Sequence, residues 1–578
     1  MKRTRSWIAI GAIAILAVPF FTSSSLASWT DQEWAHAAPV GTSSLTCGAD
    51  TGFTSAASGR QVSGTLLGTD LDTVAAVRGV SNSIDGALSE TYAPQPGAHD
   101  LDPGSTATYT RATSLNVGVL SPLVGVFLPT VDVPTPPSLA VGTLSQYSQV
   151  RPTGIATGAT GAVTDQSGIA TIGEYGASTP PDNGSISLKD VLGSAITSNM
   201  ADASLDIGAV SALSRVDGCD ILRQATWDIP AAPTSITRDY DIADLDLTLT
   251  SPALSALVTQ VDGSVSTLQN KLDGLQAALL SGISGVLSGI SADLAILSVS
   301  TAGTNVSVTN IPNVAGAVSS LLNGFSDADG IVTLSPRTGR IQVDLARLLN
   351  GANGLNDLAP NTQFLLTPAV LTDIGTRVTN LVSSWRARVV DALTIAASST
   401  QVSVSVAASV KALGITVANI AIALNANLGA LHANNGALIS AGVSVTLLNL
   451  SNPLLSAVLG SILGVLTPLQ GALVSVIKGL VDDVFAVITT LDGVLAAGVP
   501  VVAGAVSAVF SVLQPIFSLY VNVQPDRPGA PPASSFISAT SRATAQYKVT
   551  ALRVGVLDGL KPISVNIGTA SAGPVSLP

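Results

Sequence analysis

The stretch Ser251–Leu297, SPALSALVTQVDGSVSTLQNKLDGLQAALLSGISGVLSGISADLAIL, decides how the middle of this chain folds. Ser251 and Pro252 supply an N-cap and a proline at the first helical position. The apolar residues that follow recur in steps of three and four, which places them on one stripe of a helix: Leu254, Val258, Val261, Val265, Leu268, Leu272, Leu275, Leu279, Ile283, Val286, Ile290, Leu294 and Leu297. The pattern predicts a long amphipathic helix, in one piece or two, because three glycines in its second half lower the helix propensity.

The sequence before this helix is punctuated by Gly, Pro and Thr between short runs of β-branched residues. Thr106–Leu120, Ser138–Val150 and Ile155–Ile172 are predicted as strands separated by turns. We therefore expect residues 28–250 to be mainly β-structure.

Strands and a second helix follow the long helix. Gly330–Ser335 and Arg340–Leu345 alternate apolar and polar residues on either side of a Pro-Arg-Thr-Gly turn, which predicts a β-hairpin. A second amphipathic helix is predicted from Pro368, with these residues on its buried face: Val370, Ile374, Val378, Leu381, Trp385, Val389 and Leu393. Three further alternating segments predict antiparallel strands that pair with one another: 402–406, 416–422 and 443–447.

The stretch Leu413–Gln524 is unusually poor in charge, and four of its residues carry all of it: Lys478, Asp482, Asp483 and Asp492. Within it, Asn452–Ile477 and Gly493–Tyr520 are predicted as helices that are apolar nearly all round. Such helices lie either inside a protein or inside a bilayer. The prolines and the Ser, Thr and Gln content favour burial in a helical subdomain, and membrane insertion is the alternative.

After a proline-rich loop that starts at Asn522, Phe536–Pro578 predicts a small antiparallel sheet with a hairpin turn at Asp558-Gly559. The predicted fold class is α+β, with a β-rich N-terminal part, long amphipathic helices and antiparallel strands in the middle, and this small C-terminal sheet. Four regions are predicted: 1–27, 28–250, 251–525 and 526–578.

The first of these regions has the three parts of a secretory signal peptide. Three cations open the chain: Lys2, Arg3 and Arg5. The uncharged apolar stretch Trp7–Phe21 follows, and small residues then predict cleavage between Ala27 and Ser28. An N-terminal membrane anchor is the alternative, but the apolar stretch is shorter than the ~20 residues of a spanning helix. The signal predicts an extracellular location, either secreted or associated with the cell surface.

The composition and the net charge limit the classes of molecule that the protein is expected to bind. The net charge of −12 repels phosphate backbones and anionic lipid surfaces, so no nucleic-acid partner is expected. With only 11% charged residues, much of the surface consists of Ser, Thr, Asn and Gly. Outside the cell, the two cysteines, Cys47 and Cys219, predict one disulfide, with two unpaired buried thiols as the alternative.

Catalytic motifs are absent from the sequence. The three histidines, His36, His99 and His432, are far apart and form no HExxH pattern, so each is expected to be a surface or loop residue. No G-x-S-x-G nucleophile elbow and no phosphate-binding loop occurs. We therefore predict no catalytic residue, no cofactor and no enzymatic activity.

Two groups of carboxylates are weak candidates for a cation site. Asp327-Ala328-Asp329-Gly330 resembles the end of a calcium loop, but Phe325 and Pro336 stand where its first and twelfth ligands would be. A plain turn is the preferred interpretation. The aspartates of Asp239–Asp246 are expected on a solvated strand face, with Leu245 and Leu247 packing inward. No metal site is predicted, although structural calcium is compatible with the composition.

Several short motifs resemble the choice-of-anchor G family. They are Ser28–Trp34 (SWTDQEW), Gly354–Thr362 (GLNDLAPNT), Leu366–Pro368 (LTP), Tyr520–Gly529 (YVNVQPDRPG), Tyr547–Val554 (YKVTALRV) and Val565–Pro574 (VNIGTASAGP). Proteins of that family are exported by high-GC Gram-positive bacteria and carry differing C-terminal anchors. The resemblance implies a surface location and brings no catalytic residues. No LPxTG sorting signal occurs in the sequence, so the mode of attachment stays open.

These observations favour a secreted or cell-surface structural or interaction protein that contacts a cell-wall polymer or another extracellular protein. Two alternatives belong to other classes. The first is a membrane-inserted or membrane-active protein that uses the apolar helices of 452–520, although we expect no stable insertion of the mature chain. The second is an extracellular hydrolase, which would need two carboxylates about 5–9 Å apart across a groove.

Overall fold

A computed structural model gives the fold of the unit Cys47–Pro578. The structure describes residues 47, 52–66, 69–71, 78–85, 90–92, 99–100, 105, 108–114, 126–127, 145–161, 184–192, 199–227, 234–293, 297–412, 414–434, 436–447, 453–532, 534–556 and 563–577.

The strands of these residues form four antiparallel sheets. In chain order they are β1 Thr54–Leu66, β2 Thr69–Asp70, β3 Val80–Ile84, β4 Glu90–Tyr92, β5 His99–Asp100, β6 Tyr109–Ser114, β7 Val126–Phe127, β8 Ser145–Val150, β9 Ile155–Gly161, β10 Gly184–Ser187, β11 Asp202–Ile207, β12 Val210–Asp217, β13 Ile236–Ile242, β14 Leu245–Thr250, β15 Leu297–Thr309, β16 Phe325–Ser326, β17 Val332–Ser335, β18 Arg340–Asp344, β19 Thr362–Phe364, β20 Gln401–Ala412, β21 Ile415–Asn427, β22 Val443–Leu447, β23 Phe517–Val523, β24 Tyr547–Val556 and β25 Ile563–Ser576.

The helices concentrate in the middle of the chain. Among the described residues they are α1 Lys189–Leu192, α2 Gly218–Trp227, α3 Pro252–Asp293, α4 Val314–Ser319, α5 Leu345–Asn350, α6 Pro368–Ser399, α7 Leu428–Ala433, α8 Ala437–Gly442 and α9 Pro453–Leu513. Together with the sheets they confirm the predicted α+β class, with a β-rich N-terminal part and a helix-rich middle.

The strand order shows that each large sheet combines distant parts of the chain. The eight-stranded sheet runs β19-β23-β24-β25-β1-β3-β4, with β2 paired to β1. The seven-stranded sheet runs β16-β17-β18-β14-β11-β10-β7, the six-stranded sheet β13-β12-β9-β8-β6-β5, and the four-stranded sheet β15-β20-β21-β22. Strand β1 therefore pairs with β25, and β14 with β18, so the predicted sequence regions share sheets.

The eight-stranded and six-stranded sheets pack face to face at an unusually short distance. A Cβ atom on Gly59 would lie well inside 3.0 Å of the carbonyl oxygen of Ala159, and one on Gly158 equally close to those of Ser58 and Ser571. Stacked sheets ordinarily lie about 10 Å apart because side chains separate them. Here glycine removes the side chain, and the backbones of the two sheets meet.

Polar side chains join the two sheets across this narrow interface. The backbone N–H of Gln61 donates to Oε1 of Gln146 at 2.9 Å, and Nε2 of Gln61 donates to the carbonyl of Val210 at 3.2 Å. The hydroxyl of Ser148 donates to the carbonyl of Ala57 at 2.9 Å. These buried polar groups of Gln61, Gln146 and Ser148 therefore have partners on the opposite sheet, which offsets the cost of removing them from water.

Helix α9 lies between α3 and α6 and runs antiparallel to both. Leu257 of α3 contacts Gly498 of α9, and Gly282 of α3 contacts Val476, near the other end of the contact. On the opposite side, Arg386 of α6 binds Asp492 through two nitrogen–oxygen contacts of 2.6 and 2.8 Å. The buried faces of the three helices belong to one hydrophobic core that continues into the sheets.

The long helix predicted from Ser251 is confirmed as one piece, α3, over Pro252–Asp293, whereas Leu297, which the pattern placed on the helical stripe, is the first residue of β15. Ser251 caps the helix, because its side-chain oxygen accepts a hydrogen bond from the backbone N–H of Leu254 at 3.3 Å. The hairpin is confirmed as β17 and β18, and the helix from Pro368 as α6. The three N-terminal strands are confirmed where the structure describes them, as β6, β8 and β9, while residues 115–120, 138–144 and 162–172 and the turn at Asp558-Gly559 lie outside the described residues.

The prediction of two apolar helices at Asn452–Ile477 and Gly493–Tyr520 is wrong. One continuous helix, α9, spans Pro453–Leu513 and contains Pro468 and Pro500. Each proline costs about 3 kcal/mol in a helix interior, but both lie on the exposed side and burial of the opposite face outweighs the cost. Tyr520, which was predicted in the second helix, lies in β23. This strand pairs with β19 on one side and with β24 on the other in the eight-stranded sheet.

The expectation that the apolar helices are buried is met along one face of α9 only. Leu473, Ile477 and Val506 are fully buried, whereas Val494 and Val501 are 39% and 43% exposed. The section Pro468–Leu513 is long and apolar enough to cross a membrane by length and composition, with a mean hydropathy of 2.1 in its most apolar window. Of that window, 33% is buried.

The short distance between the two sheets predicts that Gly158→Ala destabilises the protein by at least ~2 kcal/mol, because the added methyl group forces two backbones apart. Denaturant unfolding followed by circular dichroism measures the change. The matched control is Gly303→Ala in β15, where a Cβ atom would meet nothing within 4 Å. That variant is expected to stay within ~0.5 kcal/mol of the parent; equal effects at both positions would contradict this interpretation of the interface.

Candidate functional site

Cys47 and Cys219 form a disulfide, as the sequence predicts, with their Cα atoms 5.7 Å apart. Cys219 lies in the first turn of α2 and is fully buried. The bond closes a loop across a sequence separation of 172 residues, which stabilises the fold by about 4–5 kcal/mol in the chain-entropy model. The predicted cleavage residues Ala27 and Ser28, and His36, lie outside the described residues.

The structure places His99 in β5 and His432 in helix α7, not in a loop. The ring of His432 stacks on Phe485 of α9 at a centroid distance of 4.2 Å, and Nδ1 lies 3.2 Å from the carboxylate of Asp482. Its side chain is 46% exposed, so His432 is a surface residue in the predicted sense, but one that packs a short helix onto the long one.

The carboxylates of Asp327 and Asp329 bind an arginine. The guanidinium of Arg377, on α6, contacts them at 2.8 and 2.7 Å. Oδ1 of Asp327 also accepts hydrogen bonds from the backbone N–H groups of Ile331 and Val332. Burial opposes the charge on Asp327, but these donors outweigh it and lower the pKa of its carboxyl. The segment is therefore a turn whose charge is balanced by Arg377, which agrees with the preferred interpretation of the sequence.

A row of aspartates crosses the seven-stranded sheet and is the strongest cluster of titratable groups in the described residues. Asp246 on β14 stands opposite Asp206 on β11 and opposite Asp344 on β18. Carboxylate oxygens of Asp244, Asp246 and Asp344 lie within 4.8 Å of one another. We call these three residues the aspartate cluster.

The expectation of a solvated acidic face is wrong for Asp246, which is 2% exposed, although Leu245 and Leu247 pack inward as predicted. The side chain of Gln342 covers it and donates from Nε2 to Oδ2 at 2.5 Å. Beside it, Arg340 and Thr248 bind Oδ2 of Asp206 at 3.0 and 2.6 Å. Long polar side chains from neighbouring strands thus form a lid over carboxylates that sequence alternation places on the outer face.

Burial and mutual repulsion raise the affinity of the cluster for protons. Burial, followed by the charge of Asp244, raises the pKa of Asp246 to about 8. Burial also raises the pKa of Asp344, although Asp344 caps helix α5 by accepting the backbone N–H of Arg347 at 2.6 Å. Carboxylates at this separation can share a proton, or a divalent cation with oxygen ligands can replace it.

The sequence pattern places Asp244 and Asp246 on one face of a strand, but it does not predict Asp344 as their neighbour. The alternating pattern of Arg340–Leu345 does place Asp344 on the same strand face as Gln342. Only the register between β14 and β18 brings it beside Asp246. That register depends on the hairpin and on the helix cap, and pattern reasoning alone does not supply it.

A second polar centre joins the segments Gly354–Thr362 and Tyr520–Gly529. The side-chain amide of Asn361, in the first segment, donates to the backbone carbonyls of Gln524, Arg527 and Pro528 at 3.0–3.1 Å. Its oxygen accepts the backbone N–H of Gln524 at 2.8 Å. In the reverse direction, Asn522 Nδ2 donates to the carbonyl of Leu358 at 2.8 Å. We call this reciprocal contact the asparagine clasp.

Strand β13 holds the same loop from the other side. The hydroxyl of Tyr240 donates to the carbonyl of Leu355 at 2.9 Å and accepts the N–H of Leu358 at 2.8 Å. Burial raises the pKa of Tyr240 to about 12, so its hydroxyl stays protonated and can donate. The clasp therefore fixes three distant segments by hydrogen bonds to backbone, and its amide and hydroxyl groups have a structural role.

The aspartate cluster predicts a specific pH dependence of stability. Because the folded-state pKa of Asp246 is raised, the folded state binds more protons than the unfolded state between pH ~4 and pH ~8. The free energy of unfolding should therefore fall as the pH rises through this window, by up to ~1.4 kcal/mol per pH unit for one extra proton. Asp246→Asn, which keeps an oxygen to accept from Gln342, should flatten the slope, as measured by denaturant unfolding from pH 5 to pH 9.

The matched control is Asp239→Asn, because Asp239 is an exposed aspartate of the neighbouring strand β13. It should leave the slope unchanged. The same titration repeated with millimolar Ca²⁺ distinguishes a shared proton from a cation, since bound Ca²⁺ would stabilise the parent above pH 6 and not Asp246→Asn. A parent whose stability rises from pH 5 to pH 8 without added cation contradicts the assignment.

The asparagine clasp predicts that Asn361→Gly destabilises the protein by ~2–4 kcal/mol, because the carbonyls of Gln524, Arg527 and Pro528 lose the amide donor and the buried N–H of Gln524 loses its acceptor. Glycine is chosen because Asn361 has a φ of 59°, where alanine would add backbone strain. The control is Asp357→Gly, at an exposed position of the same loop with the same φ of 59°. Thermal and denaturant unfolding should separate the two variants, and similar stabilities would refute the role of the amide.

A match to a known protein family covers almost all of the fold described above. No curated protein and no solved structure matches the chain significantly. A family model described as "Domain of unknown function (DUF8394)" matches residues 57–573, a span that starts in β1, ends in β25 and contains the disulfide residue Cys219, the aspartate cluster and the asparagine clasp. The chain therefore belongs to the DUF8394 family.

Proposed function

We propose that this chain is a secreted or cell-surface structural or interaction protein without catalytic activity. The observation that carries the proposal is the disulfide between Cys47 and Cys219, because such bonds persist in oxidising compartments and are rare in the cytosol. The N-terminal sequence, with three cations, an apolar stretch and small residues before Ser28, supports the same route. The resemblance to the choice-of-anchor G family supports a location at the surface.

The surface chemistry supports a role in contacts rather than in catalysis. Only 11% of the residues are charged, and most ion pairs of the described residues serve to join elements of the fold, such as Arg377 with Asp327 and Arg386 with Asp492. The exposed positions include many Ser, Thr and Asn residues, whose neutral side chains donate and accept hydrogen bonds. Such surfaces suit a wall polymer or another extracellular protein as a partner.

Export predicts a processed and oxidised product. When the full chain is expressed in a Gram-positive host, we expect culture fluid or a salt wash of the cells to contain a polypeptide that begins at Ser28, with no free thiol. Mass spectrometry of the N-terminal peptide and of alkylated cysteines gives both readouts. The variant Ala27→Arg, which blocks a small-residue cleavage site, should retain the leader. An unprocessed cytosolic chain with both thiols reduced would overturn the proposal.

A second candidate function, membrane insertion through α9, is favoured by the hydropathy of Pro468–Leu513. Against it stand the contacts of α9 with α3 and α6, including the pair Arg386–Asp492, which lies in the middle of the apolar section. The same fractionation separates the candidates. Recovery of the mature chain without detergent supports the surface protein, whereas recovery only with detergent supports insertion.

A further inference from the structure

The four-stranded sheet has an outer face of small neutral side chains. Over most of their length its strands alternate, so that Val404, Val406 and Ile422 are at most 2% exposed while the residues between them face outward. Neighbouring residues of the outer face form rows across the strands: Ser307–Ser403–Asn425, Asn305–Ser405–Ala423, Gly303–Ala407–Ala421–Ser444 and Ser300–Ser409–Asn419–Thr446. The four strands contain no Asp or Glu, and Lys411 is their single charged residue.

Strand β15 forms a long edge of this sheet. It has 13 residues, and among the described strands β20 alone pairs with it. The other edge, β22, has five residues. An edge strand presents backbone N–H and C=O groups in the geometry that a further strand needs, and monomeric proteins protect such edges with charged residues, proline or bulges. The bulge between Thr301 and Gly303 disturbs the first half of β15, whereas Gly303–Thr309 has no charge, no proline and no irregularity.

We propose that Gly303–Thr309 pairs with the same segment of a second copy of this chain, which joins two four-stranded sheets into one. Charge favours this occupant. The chain has a net charge of −12, so most surfaces of two copies repel each other, and this sheet is a surface with no acidic residue on its strands. The proposal needs neither export nor attachment to a cell, and it can therefore fail or succeed independently of the proposed function.

The alternation of β15 is complementary to itself. In an antiparallel pair centred on Val306, each residue stands opposite one of the same parity, so Val306 lies beside its own counterpart and Asn305 lies opposite Ser307. The buried valine face and the outer polar face therefore both continue across the new pair. Thr304 stands opposite Val308 on the inner face, where the methyl group of the threonine can pack against the valine, and alternate residues of the seven-residue segment gain backbone hydrogen bonds.

Analytical ultracentrifugation of the full disulfide-bonded chain over a range of concentrations tests the proposal. We expect a reversible monomer–dimer equilibrium. The double variant Asn305→Lys/Ser307→Lys places cations opposite one another across the new pair and should weaken dimerisation at least tenfold, or ~1.4 kcal/mol. Hydrogen exchange supplies a second measurement on the unmodified chain, in which the amides of Gly303–Thr309 should exchange more slowly as the concentration rises.

The matched control is Ser403→Lys/Ser405→Lys, since these residues stand directly beside Ser307 and Asn305 on the same face, one strand in from the edge. This variant carries the same added charge and should still dimerise. A parent that stays monomeric at all concentrations overturns the proposal. So does a dimer that survives the edge variant, or one that the control variant dissociates equally, because either result places the interface elsewhere.

Discussion

The pairing of Thr54–Leu66 with Ile563–Ser576 is the constraint on which the rest of the fold depends. The two strands stand side by side in the eight-stranded sheet, and both pack against β9 of the six-stranded sheet through the close contact at Gly158. This pairing joins the two ends of the unit Cys47–Pro578, and the segments between the two strands form a single compact unit. Bringing together segments almost 500 residues apart costs loop-closure entropy, which the extended register and the buried interface offset. The family match begins and ends in these same two strands.

Hydrogen bonds from side chains to backbone compensate for a low content of charge. Gln61, Ser148, Asn361 and Tyr240 each bind backbone groups of a distant segment. Such bonds use uncharged side chains, so the sheets can bury them at a close distance without the cost of desolvating a charged Lys or Glu. The ion pairs of the helices have a related role, since they fix α9 against its neighbours at a few points. Among the described residues, the buried polar side chains are accordingly mostly uncharged.

The aspartate cluster is an exception to this low content of buried charge. Three carboxylates on one sheet face repel one another, and burial under Gln342 strengthens the repulsion because it removes water. A protein that keeps such a group carries an energetic cost at neutral pH. Because burial and the charge of Asp244 raise the pKa of Asp246 to about 8, the seven-stranded sheet contains a carboxyl group that titrates near neutral pH, whereas the four-stranded sheet has no acidic residue on its strands.

The sequence by itself determined the elements whose pattern is long and local. The stripe from Leu254 defined α3, the alternation around Val404 and Ile420 defined the four-stranded sheet, and two cysteines defined one disulfide, because periodicity and residue type act over neighbouring residues. Only the tertiary structure decided the rest. The continuity of α9 through two prolines, the strand at Phe517–Val523, the burial of Asp246 beside Asp344 and the joining of β1 to β25 all depend on what a distant segment offers. Local propensity carries no information about that segment, since packing and register are set by partners far away in the sequence.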